Sequence, residues 1–320
     1  MRAGRASWTV QDSTAKKGGM GRLRHKELAG VKIFGFSLAG EETVVAAPEY
    51  NVCFDAGRAP REIIPIDNLC LSHGHMDHAA GLAYYLSQRN FIGTSPGRII
   101  LHRSLAQAVQ RLMDVWSEIE GHHTPFDIVG VLALEDVAIR RDLIVRPFDV
   151  NHGASALGYT LIEVRHKLKE EFLGKTGPQL VALKKEGVEI QHRVEAPILT
   201  YTGDTAIGRF LDLDFVRTSP AVIIECTFFD REHVHRARAG RHLHVEDMPK
   251  VLEAIPGAEI LLTHHTRRTD LRFAKRALER TISPADRERV SFLMDAPPRA
   301  RRVSDIVPQP AAATPSEPRP

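Results

Sequence analysis

Cysteine is scarce in this chain: 3 residues in 320, at Cys53, Cys70 and Cys226, with no CxxC pair. An odd number of scattered thiols excludes a disulfide framework and a four-thiolate metal cage, and it points to a reducing compartment. Long apolar runs are missing too. No segment approaches the roughly 18 consecutive apolar residues of a membrane span, and the N-terminus lacks a hydrophobic signal core. The sequence therefore reads as soluble and cytoplasmic, with no membrane partner. A surplus of one charge is also absent, because 43 Lys+Arg against 40 Asp+Glu leave only +3. Total charge alone neither demands nor forbids a polyanionic partner.

What remains is ordinary globular composition, 43% hydrophobic and 26% charged, sufficient to bury a core. A length of 320 residues allows one large α/β domain or two average ones. Residues 1–26 hold Arg2, Arg5, Lys16, Lys17, Arg22, Arg24 and Lys26 among Gly, Ser and Thr without apolar periodicity, and read as a flexible basic arm. Residues 295–320, rich in Pro and Ala, cannot bury enough surface to offset their ordering entropy and read as a disordered tail. The fold is expected over 27–294.

Short apolar runs bounded by turn residues predict strands at 31–38, 43–47, 52–55, 68–72, 98–101, 221–225 and 259–263, whereas 106–119 and 245–255 carry helical spacing. Strands come first, then strands mixed with helices, and the strand-rich pattern recurs in the second half. Two packed sheets flanked by helices, an αββα four-layer α/β sandwich, satisfy that order. The segment 165–193 interrupts it. Lys167, Lys169, Glu170, Glu171, Lys175, Lys184 and Lys185 surround Gly174, Gly177 and Pro178, which predicts a charged insertion on the surface.

The chemistry concentrates in Leu71-Ser72-His73-Gly74-His75-Met76-Asp77-His78, an HxHxDH run directly after an apolar strand. Three imidazoles and a carboxylate crowded into one turn gain nothing structurally unless a divalent cation holds them. Without thiolates, such a donor set suits zinc and tolerates manganese, in a catalytic and not a closed structural site. Further donor types follow later strand-like runs: His152 after 143–150, Asp204 in Thr202-Gly203-Asp204-Thr205 after 196–200, and His264 after 260–262.

These motifs resemble the metallo-β-lactamase superfamily and, within it, the short form of the ribonuclease Z family, the tRNA 3′-processing endonucleases. The likeness spans about 22–294 and includes Phe54-Asp55-Ala56-Gly57-Arg58, Gly158-Tyr159, the 167–187 segment in the position of a short exosite arm, and Ile224-Glu225-Cys226-Thr227-Phe228. It implies that His73, His75 and His152 hold one metal ion, that Asp77, His78 and His264 hold a second, and that Asp204 bridges. Two divalent ions, Zn2+ or else Mn2+, would activate water against a phosphodiester. Asp77 would orient that water, His242 would protonate the leaving 3′-oxygen, and Glu225 would fix the His242 tautomer. Lys167, Lys169, Lys175, Lys184 and Lys185 would bind substrate phosphates.

The implied activity is a metal-dependent endoribonuclease cutting the 3′ trailer from precursor tRNA, in a homodimer, with tRNA and not DNA as partner. A dinuclear hydrolase of a small phosphodiester, or more remotely of a lactone or thioester, is the competing reading, and a metal-free RNA-binding relative a third. Two departures stand out: Ile224 precedes Glu225 where the family has His, and His265-Thr266-Arg267-Arg268 replaces the usual ending after the last metal histidine. His244 competes with His242 for the acid role. Cys226 reads as a packed thiol.

Overall fold

A computed structural model describes residues 23–153 and 155–295. The predicted arm at 1–26 and tail at 295–320 lie almost wholly outside these residues, except that a first strand, β1 (Arg24–Leu28), already begins inside the expected arm. Its Arg24, His25 and Lys26 pair across to Gly35, Phe34 and Ile33. Arg24-His25-Lys26-Glu27-Leu28 holds a single apolar residue, so this edge strand shows no alternation, which hid it in the sequence.

One sheet continues with β2 (Val31–Leu38), β3 (Glu42–Ala47), β4 (Val52–Phe54), β5 (Asn68–Cys70), β6 (Gly97–His102) and β7 (Phe126–Val131). The other contains β8 (Val137–Arg140), β9 (Leu143–Asp149), β10 (Leu157–Leu168), β11 (Gln191–Tyr201), β12 (Ala221–Glu225), β13 (Glu259–Thr263) and β14 (Val290–Phe292). Each has seven strands in sequential order, antiparallel over the first four and parallel over the last four. The halves thus share one topology, although no repeat is visible in the sequence.

Both faces of each sheet are buried, so successive residues serve different cores. Val45, Phe54, Tyr159, Leu199, Tyr201, Ile223 and Leu261 meet between the sheets. Val44, Cys53 and Leu69 face outward to α2 (Leu82–Phe91) and α3 (Ala106–Glu120), after a single-turn α1 (Met76–Ala79). Val222, Ile224, Ile260 and Leu262 belong to the opposite outer core. That core is covered by α5 (Asp214–Arg217), α7 (Met248–Ala254) and α8 (Leu271–Thr281), with α6 (Val234–Gly240) and α9 (Pro284–Arg287) alongside. The αββα sandwich is as expected.

The 165–193 segment is more ordered than a surface loop. Strands β10 and β11 stay paired through Leu168↔Gln191, and their tip carries α4 (Gly177–Lys185). It is a two-stranded arm capped by a helix.

Candidate metal centre

In parallel strands the carboxyl ends gather on one rim, where the loops that follow them converge. His73, His75, Asp77 and His78 follow β5, His152 follows β9, Asp204 follows β11, Glu225 ends β12 and His264 follows β13. One donor atom each from His73, His75, His152 and Asp204 lies within 4.8 Å of the others, and the same holds for Asp77, His78 and His264. Asp204 Oδ2 sits 3.4 Å from His78 Nε2, 3.3 Å from His264 Nε2, and 3.9 Å from both His73 Nε2 and His152 Nε2. One carboxylate oxygen therefore stands between two groups of donors.

The ring atoms facing away from this centre are held. His78 Nδ1 is 2.8 Å from Asp55 Oδ2, His73 Nδ1 3.0 Å from Ser72 Oγ, His264 Nδ1 3.0 Å from Thr227 Oγ1, and His152 Nδ1 3.1 Å from the Arg241 carbonyl. Such outer partners fix the tautomer and aim of a ligating imidazole. Asp55 also accepts from Ser72 N at 2.7 Å and from Tyr201 Oη at 2.6 Å, while Gly40 N donates to Asp77 at 2.7 Å. Asp55 and His264 both adopt left-handed φ, 59° and 61°. Strain of this kind collects at functional sites and persists only where packing enforces it.

Two glycines are required by this geometry. Gly203 has φ +60°, and a Cβ there would lie 2.6 Å from Ser72 Cβ. At Gly57 a Cβ would fall 2.2 Å from the Asp77 carbonyl oxygen.

Electrostatics fit a cation. Burial, with His78 nearby and Asp204 opposing, lowers the His73 pKa to about 2, so its imidazole is neutral and free to donate a lone pair. Burial likewise lowers His152, against the pull of Asp204. Burial opposes ionising Asp204, yet His264 and His78 hold it far below the usual carboxylate range. Burial also resists charging His78, but Asp204 and Asp55 drive its pKa well up, so a proton there supplies the positive charge that the carboxylates demand. Neutral His73 and His152 beside the buried Asp204 anion offer donors to a divalent metal, and at His78 the ion would take the place of the proton.

Beside this centre, His242 Nδ1 is 2.8 Å from Glu225 Oε1 and 3.9 Å from Asp204 Oδ2. Burial opposes charging His242, but Glu225 outweighs it and raises the pKa to about 9. Glu225 is completely buried and pinned by Thr205 N at 2.7 Å, Thr227 Oγ1 at 2.5 Å and Leu243 N at 3.3 Å. His244 faces elsewhere: its Nε2 is 2.9 Å from the Asp230 carbonyl, and its Nδ1 accepts from Glu246 N at the start of a helical turn. Ile224, where a His was expected by likeness, alternates away from Glu225 into the outer core. Cys226 is fully buried, and burial raises its thiol pKa well above the ordinary value.

The lysines named as substrate contacts are not at this rim. Lys167 ends on β10, Lys169 pairs with Glu189 at 3.6 Å, and Lys175, Lys184 and Lys185 are exposed near the arm tip. β11 runs 11 residues from the arm to Tyr201, just before the centre. From Arg193, the last arm residue, eight residues of β11 lead to Tyr201, so at ~3.3 Å per residue the arm begins roughly 26 Å from the rim. Asp55, Ser72, Thr227 and Tyr201 were not foreseen as partners of the site, since single hydroxyls and acids near strand ends carry no spacing signal.

A family model described as the metallo-β-lactamase superfamily matches residues 44–113. The tRNase Z TRZ1 of Arabidopsis thaliana is 32% identical over 253 residues, covering 78% of this chain and 90% of that protein. The chloroplastic tRNase Z TRZ2 of the same plant is 31% identical over 246 residues, covering 76% and 69%. The crystal structure of human tRNase Z, short form, superposes with a TM-score of 0.51 at 15% identity, covering 76% of this chain and 92% of that one. No helix among the described residues is long and apolar enough to cross a membrane.

Proposed function

The chain belongs to the ribonuclease Z family of metal-dependent endoribonucleases, and we propose that it removes the 3′ trailer from precursor tRNA, leaving a 3′-hydroxyl on the tRNA. The observation that carries this reading is the two donor groups sharing Asp204, with a carboxylate-backed histidine at their side. His73, His75 and His152 would hold one divalent ion, Asp77, His78 and His264 the other, with Asp204 common to both; Zn2+ is the ion proposed. When bound, such ions activate water and neutralise charge on a phosphoryl oxygen.

The protein's own groups do the rest. Asp77, held by the Gly40 amide, orients water for attack on phosphorus in line with the departing 3′-oxygen. Glu225 takes the Nδ1 proton of His242 in a hydrogen bond, so Nε2 is the atom that delivers a proton to that oxygen. The tRNA body is gripped on phosphates by the arm lysines, at a distance from chemistry. A small phosphodiester would have no use for a helix-capped arm.

A homodimer is part of this proposal. On α3, Leu112, Val115, Trp116 and Ile119 form an apolar stripe at helical spacing, 39–66% exposed. An isologous contact through it would bury that stripe.

Zinc-loaded protein should cut a precursor tRNA once, at the tRNA 3′ end, and hydrolyse bis(p-nitrophenyl) phosphate more slowly. Asp77→Ala should lose at least about 10²-fold on both with unchanged circular dichroism. Turnover of the small diester with intact precursor tRNA would overturn the tRNA assignment.

A further inference from the structure

A groove lies beside the candidate centre, next to the segment that follows His264. Its first part, about 700 Å³, is bounded by Phe228, Arg236, Arg267, Arg268 and Phe273, and the second, about 610 Å³, continues past Phe273 to Arg280. The two parts share Asp230 and Phe273 in their walls, so they adjoin. Its head adjoins the chemistry: the Phe228 ring is 6.1 Å from the His242 ring, and Arg267 and Arg268 come directly after His264-His265-Thr266.

The charges along it are unequal in availability. Glu41 is engaged by Arg267, Asp270 by Arg272, Glu246 by Arg231 at 3.5 Å, and Asp230 accepts the Glu232 amide as a helix cap. Arg236, Arg268 and Arg280 are exposed and make no hydrogen bond or ion pair among the described residues. Three uncommitted guanidinium groups interleaved with two half-buried phenylalanines form a stacking platform inside a cationic trough. Single-stranded nucleic acid is recognised in this way, by stacking on bases and by charge on phosphates.

We infer that this groove binds the single-stranded 3′ trailer of the substrate, with Phe228 and Phe273 against bases and Arg236, Arg268 and Arg280 against phosphates. The inference rests on the ribonuclease Z reading of the site. The trailer is assigned because a groove running on through two cavities outlasts one nucleotide, and the trailer is the unpaired strand that continues from the cut.

The test uses full-length, zinc-loaded protein, precursor tRNAs with trailers of one and of eight nucleotides, and a fluorescent oligouridylate octamer for direct binding. Wild type should favour the long trailer in kcat/KM. In the double variant Arg236→Glu, Arg280→Glu that advantage should fall at least tenfold. The octamer's log Kd against log salt slope should lose about 1.4, at about 0.7 per phosphate contact removed from a single strand. Phe273→Leu, which keeps apolar volume, should weaken the octamer about tenfold. A double variant that keeps both the long-trailer advantage and wild-type octamer binding would overturn the groove while leaving the tRNA activity standing. An octamer that needs Arg236 and Arg280 on a protein unable to cut precursor tRNA would keep the groove and remove the activity.

Discussion

Glu225 is buried with His242 as its cation, and three further hydrogen bonds satisfy it. Such an acid holds its imidazole partner in one tautomer, and the consequence should appear only where a proton is needed. His242→Ala is expected to reduce precursor tRNA cleavage by ~10²- to 10⁴-fold, because an alkoxide leaves poorly without an acid. Bis(p-nitrophenyl) phosphate should suffer far less, since nitrophenolate departs unaided. Glu225→Gln should show the same selectivity in milder form, and His244→Ala, which loses a helix cap, should lower stability without leaving-group dependence. A second residue-scale outcome concerns Gly203: its φ of +60° and its approach to Ser72 mean that Gly203→Ala should displace Asp204. Zinc content measured by atomic emission should fall in that variant. The donor side chains that converge at the rim were legible in the sequence, because histidines and acids cluster after strand-like runs. The partners that aim them were not, since Asp55 reaches His78 and Tyr201 across 23 and 146 positions and only folding brings them together.

At the scale of elements, the rim depends on how the antiparallel half of each sheet turns into the parallel half. Parallel strands need long crossovers, and the crossovers after β5, β11, β12 and β13 carry the chemistry. The strand runs 31–38 and 221–225 coincide with β2 and β12 because they are apolar and closed by turns. By contrast α2 and α8 were missed: α2 buries Tyr85, Leu86 and even Arg89, which blurs its stripe, while the buried stripe of α8 is made of Ala274, Ala277 and Leu278, two of them small residues between Arg, Lys and Glu. Arg89 is the more telling case. It lies 1% exposed at the end of α2, donating to the carbonyls of Ile64 at 2.5 Å and Ile66 at 2.9 Å and pairing with Asp67. Arg89→Met should cost about 2 to 3 kcal/mol in urea unfolding, since it strands the buried Ile64 carbonyl and removes the cation facing Asp67, while the Ile66 carbonyl keeps the Tyr85 hydroxyl. Burial pushes the Asp67 carboxyl up, but Asn51, Ser95 and Arg89 together hold it below the ordinary value. A depressed folded pKa contributes stability that is present above the unfolded value near 4 and is lost as pH falls below it. Asp67→Asn should therefore flatten the decline of stability as pH falls below about 4.

At the scale of the whole molecule, the arm lies apart from the rim that gathers the donors. The arm's strands stay in register to Leu168↔Gln191, so replacing 169–190 by Asn-Gly should close a tight hairpin and leave the sandwich intact. If the lysines on the arm hold phosphates, the loss belongs to KM and not to kcat on precursor tRNA, and the salt dependence of binding should shrink by about 0.9 for each phosphate contact removed. Hydrolysis of the small diester should continue in the shortened chain. An equal loss on both substrates would mean that the arm supports the fold instead. The same separation bears on assembly, because an arm that begins roughly 26 Å from its own donors is free to serve a neighbouring copy if the chain pairs through α3. Trp116→Glu with Ile119→Glu should convert a dimer to a monomer in sedimentation velocity while leaving zinc content unchanged. If the arm then acts across the dimer, mixing the armless chain with an Asp77→Ala chain should restore precursor tRNA cleavage. The restoration should vanish when both chains carry the charged α3 face, whereas equal activity with and without that face would place the arm on its own chain's substrate.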